Sequence, residues 1–186
     1  MSTTIRWITL FLALVALALI GWDMSVFNPR NTEPTDNNEA SSQSEHTVTV
    51  VFNPIGQLNY KLVAENVQNF SAQELTWFTK PVMTLFGENA VAIWTVRADR
   101  AKLTNDKMLY LYGHVEVDSL TPDAQLQKIK TDNAQINLIT QDVSSDDQVT
   151  LFGVGFTSNG MKMRGNLRDK TAELIEKVKT AYEIQK

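Results

Sequence analysis

Cysteine is absent from the 186 residues, which excludes disulfides, thiolate metal ligands and a cysteine nucleophile, so stability must come from burial and backbone pairing. Histidine is nearly absent. His46 and His114 are the only two and lie outside any two-histidine metal spacing, so each reads as a solvated side chain and no metal is expected. There is no G-x-S-x-G elbow for a serine nucleophile. Gly155-Phe156-Thr157-Ser158-Asn159-Gly160 has the glycine spacing of a phosphate loop, but Met161 stands where that loop needs lysine, so Asn159-Gly160 reads instead as a hairpin turn. The acidic run DVSSDDQ from Asp142 lacks the glycine and the closing glutamate of a calcium loop and reads as a solvated turn. Nothing singles out a working pair among the 21 acids, so the sequence offers no sign of an enzyme and implies no cofactor. A basic surplus is missing too. Residues 47–186 carry 15 Lys plus Arg against 16 Asp plus Glu, which argues against nucleic acid as a partner.

What the chain does have begins with RWITLFLALVALALIGWD, Arg6 to Asp23. A charged start, a short apolar run and Ala16-Leu17-Ala18 fit a cleaved signal, but the run continues through Leu19, Ile20 and Trp22, which fits a retained anchor better. Trp7 to Trp22 is 16 residues, about 24 Å of helix against a hydrocarbon core of about 30 Å. Snorkelling by Arg6, interfacial Trp7 and Trp22, and the apolar Met24, Val26 and Phe27 make up the difference. Arg6 before the run and no lysine or arginine after it until Arg30 place the N-terminus in the cytoplasm and everything after residue 27 outside. The reading is therefore residues 1–27 as cytoplasmic start and single membrane anchor, residues 28–46 as a flexible polar linker, and residues 47–186 as one folded domain. The linker assignment rests on two prolines and hardly an apolar side chain in NPRNTEPTDNNEASSQSEH, a composition that cannot bury enough surface to fold alone.

From Thr47 onward the chain alternates. TVTVVFN, LNYKLVAEN, AIWTVRADRA, MLYLYGHVEV and INLITQDV are rich in β-branched and aromatic residues with turn residues between them, an all-β pattern. A repeat underlies it: Leu62, Val96, Ile129 and Met163 lie 34, 33 and 34 residues apart, each followed two positions on by a small residue, Ala64, Ala98, Thr131 and Gly165. Units of near-constant length, each giving about two strands, imply stacked hairpins sharing one buried face, with the small residue where backbones approach closely. A tightly packed sandwich and a lined groove both satisfy this pattern. Leu85-Phe86-Gly87, Leu111-Tyr112-Gly113 and Leu151-Phe152-Gly153 form a second recurring element, whose glycine suits a bend or bulge. The stretch AELIEKVKTAYEI resists the scheme: its composition favours helix, whereas the period and the parity of Ala172, Leu174, Val178, Thr180 and Tyr182 favour strand.

SEHTVTVVFNPIGQLNYKLVAENV, ADRAKLTNDKMLYLYGHVEV, TDNAQINLITQDV and MKMRGNLRDKTAELIEKVKTAYEIQ resemble the lipopolysaccharide export component C family of enteric bacteria. The similarity covers nearly the whole chain and is strongest from Ser44 to Gln185. It implies a single-pass inner-membrane protein with a twisted, open β-jellyroll in the periplasm, apolar inside, that binds lipopolysaccharide. In that family the anchor joins the permease and ATPase subunits of an ATP-binding-cassette extractor, and the jellyroll bridges it to a soluble periplasmic protein of similar fold. The missing phosphate loop agrees, because ATP hydrolysis belongs to another subunit.

By the same resemblance Thr47, Phe78 and Ala172 face the lipid, and strand parity adds Thr49, Val51, Leu174 and Ile175. Val48, Val50 and Phe52 form the more apolar row of the first strand, so the row of Thr47 is chosen by resemblance. Leu174 and Ile175 point to opposite faces of a regular strand, so only one can face the lipid. Ordinary core packing is the alternative for every one of these residues. The resemblance also implies that Thr47–Phe52 meets the extractor and that Ala172–Tyr182, with Lys177 and Tyr182, meets the soluble partner. Gly56 and Gly153 are expected to hold the docking edges in shape. Two other functions compete: a tethered periplasmic adaptor without lipid cargo, which usually carries a long heptad coiled coil absent here, and a carbohydrate-processing enzyme, which needs an essential carboxylate pair.

Overall fold

The computed structural model describes residues 40–182. The anchor and most of the linker fall outside the described residues, and among the described residues no helix is long and apolar enough to cross a membrane. The strands are β1 (Ser42–Phe52), β2 (Leu58–Phe70), β3 (Leu75–Thr79), β4 (Val82–Phe86), β5 (Ala92–Arg97), β6 (Arg100–Thr104), β7 (Met108–Ser119), β8 (Leu126–Asn137), β9 (Asp142–Gly153), β10 (Phe156–Asn166) and β11 (Thr171–Tyr182). All join one antiparallel sheet, in which β3 and β4 run end to end along β2, and β6 and β5 end to end along β7. The arrangement is a meander of long strands, the consequence of short turns between apolar-alternating runs.

The long strands break near their middles. Between β3 and β4 stand Lys80, at φ 46°, and Pro81, which lacks a ladder donor. Strand β7 shifts register between Tyr112 and Val115, where His114 has φ 46°, and β8 shifts between Thr131 and Gln135. Lys162 in β10 and Lys177 in β11 are also left-handed, at φ 58° and 51°. Such bulges bend a strand and sharpen its twist. Hydrogen bonds carry the sheet across the breaks, from Lys80 N to Asp99 O at 2.8 Å and from Asp99 N to Gly113 O at 2.9 Å.

The aligned bulges make a crease, and the sheet folds over along it. Trp94 in β5 and Leu167 after β10 sit four strand steps apart by way of β7, β8 and β9, about 19 Å in a flat sheet. Yet Trp94 Nε1 donates to Leu167 O at 2.7 Å. Between the two walls lies the core, in which Met83, Leu85, Val96, Leu109, Leu111, Ile129, Ile136 and Met163 are fully buried.

The all-β reading stands, and the C-terminal stretch is the strand β11 that the period favours, against its helical composition. Ladder pairing with β10 along the whole length outweighs an intrinsic preference of a few tenths of a kcal/mol per residue. Three details differ from the sequence reading. The run at Asp142 is strand β9, because Val143 and Ser145 alternate inward with both neighbours paired. Asn159 and Gly160 lie inside β10, opposite Thr150 and Val149, and the turn falls at Val154-Gly155. Strand β1 starts at Ser42, inside the stretch assigned to the linker, because Ser42 to Glu45 pair with Asn69 to Asn66.

The repeat is a repeat of creases. Ala64, Ala98 and Thr131 are buried beside the break in their strands, where the walls converge and little room is left. In the fourth unit the bulge comes earlier, at Lys162, and Gly165 serves a different approach: a Cβ there would lie 2.4 Å from Thr171 O.

Candidate functional site

At the β11 end the walls stay apart. A groove of about 420 Å³ opens there, lined by Leu126, Leu151, Phe156, Ala172, Leu174 and Val178, with Gln125, Ser158, Lys170 and Thr171 as its polar lining. The floor comes from the ends of β8, β9 and β10, and the roof from β11, whose inward row is set by pairing Leu174 with Met163 and Ala172 with Gly165. Ser158 Oγ and Thr180 Oγ1 satisfy each other at 2.7 Å, so the deeper wall presents few open polar atoms. Lys170 lies on the turn between β10 and β11, its Nζ 3.4 Å from Thr121 Oγ1 on the opposite wall.

Of the residues expected to face lipid, Ala172 and Leu174 line this groove, whereas Ile175 is 50% exposed and belongs to the other face. Phe78 points inward from β3 between Val67 and Ala101 and is buried in the core. Thr47, Thr49 and Val51 pair directly with the buried Ala64, Leu62 and Tyr60, so they share the inner face, while Val48, Val50 and Phe52 are exposed on the outer one. The more apolar row of β1 therefore faces outward. Thr47 and Phe78 stand on β1 and β3, toward the other end of the strand order from β11, and neither lines the groove.

Both ends of the sheet are open. Among the described residues β1 pairs only with β2 and β11 only with β10. Lys177 and Tyr182 are exposed on β11. Gly56 sits at φ 80° in the β1–β2 turn with open space around it, so a side chain there meets backbone strain and no clash. Gly153 closes β9, where a Cβ would lie 2.0 Å from the Phe156 ring and 2.7 Å from Gln125 O.

Sequence reading missed Leu126, Leu151, Phe156 and Lys170. Parity alone could have marked Leu151 as inward, but which inward residues meet across the fold depends on where the creases fall. Outside, the sheet carries cross-strand ion pairs. Burial works to raise the Asp118 carboxyl, but hydrogen bonds from Arg97 at 2.5 Å and Lys128 at 3.1 Å hold it below its ordinary value. At the crease His114 Nδ1 lies 2.6 Å from Asp99 Oδ2, and that hydrogen bond raises the imidazole above its ordinary value.

Comparison with known proteins adds four findings. Residues 8–183 match the family model described as "Lipopolysaccharide-assembly, LptC-related". The chain is 55% identical over 185 residues to the lipopolysaccharide export system protein LptC of Escherichia coli (strain K12), covering 100% of this chain and 97% of that protein. It is 34% identical over 206 residues to the protein of the same name from Haemophilus influenzae, covering 98% and 96%. The crystal structure of LptH, the LptA homologous periplasmic component of the lipopolysaccharide transport device of Pseudomonas aeruginosa, superposes with a TM-score of 0.55 at 13% identity, over 67% of this chain and 95% of that one. At that identity the likeness is one of fold.

Proposed function

The chain belongs to the lipopolysaccharide-assembly, LptC-related family, and on that premise we propose that it takes lipopolysaccharide from an inner-membrane ATP-binding-cassette extractor and passes it to a soluble periplasmic protein of similar fold. It is a component of the lipopolysaccharide transport bridge. The apolar run at Trp7–Trp22 holds it in the inner membrane, and the open jellyroll receives acyl chains while the sugars stay in water.

One observation carries this reading. Strand β11 both roofs the apolar groove through Ala172 and Leu174 and presents an unpaired ladder edge. A neighbour adding a strand to that edge would extend the groove's wall into its own. Continuity matters physically, because each acyl methylene exposed to water costs about 0.8 kcal/mol, so a gap between domains would stop a multi-chain lipid. The β1 edge supplies the matching junction toward the extractor, with Thr47, Thr49 and Val51 on the inner side.

In-cell photo-crosslinking tests the proposal, with benzophenone residues replacing Thr47 and Ala172, one on the inner side of each open edge, and adducts compared with and without cellular ATP. Energy-dependent lipopolysaccharide adducts at both sites are expected. Adducts at neither site, while outward-facing controls trap only proteins, would overturn the lipid path and favour a tethered adaptor.

A further inference from the structure

The outer face of the sheet holds a feature that lipid transport leaves unused. Trp77, Lys102, Tyr110, Gln135 and Ser144 stand directly opposite one another on β3, β6, β7, β8 and β9. Because Phe78, Ala101, Leu109, Leu111 and Ala134 are the buried residues of these strands, this row points away from the core. The indole and the Tyr112 ring lie with centroids 5.7 Å apart, tilted by 34°. Arg100 sits with Cζ 4.6 Å from the Trp77 centroid, and Lys102 with Nζ 4.7 Å from that of Tyr110.

Two properties set this patch apart from the rest of the outer face. Of the other cations, Arg97, Lys128, Lys130, Lys162 and Arg164 each meet a carboxylate, and those without one, such as Lys61, rest on no aromatic ring among the described residues. Arg100 and Lys102 meet no carboxylate within ion-pair distance among the described residues and rest on aromatic rings instead, an arrangement that keeps their charge available to an incoming anion. Beside the rings, moreover, lies a cleft of about 220 Å³ whose lining includes Tyr110, Tyr112, Gln135, Ser144 and the two acids Asp146 and Asp147. Asp146 is paired with Arg164 at 2.6 Å and Asp147 accepts from Asn133 Nδ2 at 2.7 Å, so the amide of Gln135 and the hydroxyl of Ser144 are left to meet a ligand.

Half-buried aromatic plates, cations without a carboxylate partner and a neighbouring amide and hydroxyl are the chemistry that recognises an acidic sugar: ring faces cover its C–H surface, guanidinium and ammonium take the phosphate or carboxylate, and amide and hydroxyl take the sugar hydroxyls. We propose that this outer patch, centred on Trp77, Arg100 and Lys102, binds an anionic oligosaccharide. The site lies on the face opposite the lipid groove, and its occupation is independent of that groove. The same ligand chemistry occurs in the phosphorylated saccharide of the lipid cargo and in the carboxylate-bearing glycan of the cell wall.

Calorimetric titration of the full chain in detergent tests the proposal with three probes: core oligosaccharide freed from lipid A by mild acid, the same oligosaccharide after phosphatase treatment, and a soluble cell-wall glycan fragment. Saturable binding of at least one charged probe is expected, weakened tenfold or more by Arg100→Gln with Lys102→Gln, and abolished by Trp77→Leu. Loss of binding after phosphatase assigns the phosphorylated saccharide; preference for the glycan fragment assigns the cell wall. The lysine and arginine variants only neutralise surface charge, so an unchanged circular dichroism melt separates lost binding from lost folding. No saturable binding of either charged probe, or equal affinity in the charge-neutralised variant, would overturn the inference. Ala172 adducts with lipopolysaccharide must persist in these variants, so failure here and failure of the lipid path are read separately.

Discussion

Trp94 Nε1 donates a hydrogen bond of 2.7 Å to the carbonyl of Leu167, a residue 73 positions further along the chain, with both side chains buried. This one bond ties the wall carrying β5 to the turn between β10 and β11. Replacing Trp94 by Phe keeps a ring but leaves a buried carbonyl without its donor, an error costing about 1–3 kcal/mol. Urea unfolding should show a lower midpoint at unchanged slope, since the same surface is exposed on unfolding.

Gly153→Arg should disable docking at the C-terminal edge. Its Cβ has no room beside Phe156 and Gln125, so the Phe156 ring must leave its place in the groove and the β9–β10 turn must shift. Co-purification with the periplasmic partner is expected to fall while the domain stays β-rich by circular dichroism. Normal complex assembly by this variant would sink the idea.

Leu174 and Ile175 are neighbours with opposite roles. Leu174 lines the groove and Ile175 faces outward, so a benzophenone at position 174 should trap lipopolysaccharide and one at 175 should not. Equal lipid adducts from both would mean that β11 does not keep its register in the cell.

Lys170 brings a positive charge to the groove, with only a long contact to Thr121 to hold it. Lys170→Glu should weaken binding of phosphorylated lipopolysaccharide in a co-elution assay and affect a dephosphorylated form much less. A neutral head group gives the cation nothing to attract.

His114 gives the fold a pH dependence of known sign. Its partner Asp99 raises the folded-state pKa above the unfolded value of 6.5. The pair therefore stabilises the fold fully below about pH 6.5 and loses that contribution as pH rises through the raised folded value. Relative to His114→Gln, the wild-type chain should lose stability on going from about pH 6 to about pH 8, a trend that urea midpoints at the two values will reveal.

The spacing of 34 and 33 residues between Leu62, Val96 and Ile129, and the alternation around each, sufficed to read all-β stacked hairpins and to favour a strand for AELIEKVKTAYEI against its helical composition. Such patterns are local: every second side chain faces the core whatever the rest of the chain does. Parity likewise narrowed Leu174 and Ile175 to one of the two, and the family resemblance chose the row of Thr47 over the more apolar row of Val48, a choice that hydrophobicity alone would have reversed.

Tertiary structure decided the rest, because the groove joins residues that no local pattern connects. Phe156, Leu126 and Ala172 meet only after the sheet folds along its crease, and the crease depends on left-handed residues such as Lys80, His114, Lys162 and Lys177, side chains that give no sequence signal for positive φ as glycine would. The same folding over brings Trp94 to Leu167. Sequence by itself thus determined the all-β class and the alternation of its strands, but not the strand order or, in β1, the inward face. Where the walls close and where they part to admit a ligand was set by the positions of the bulges and the volumes of the side chains packed between them.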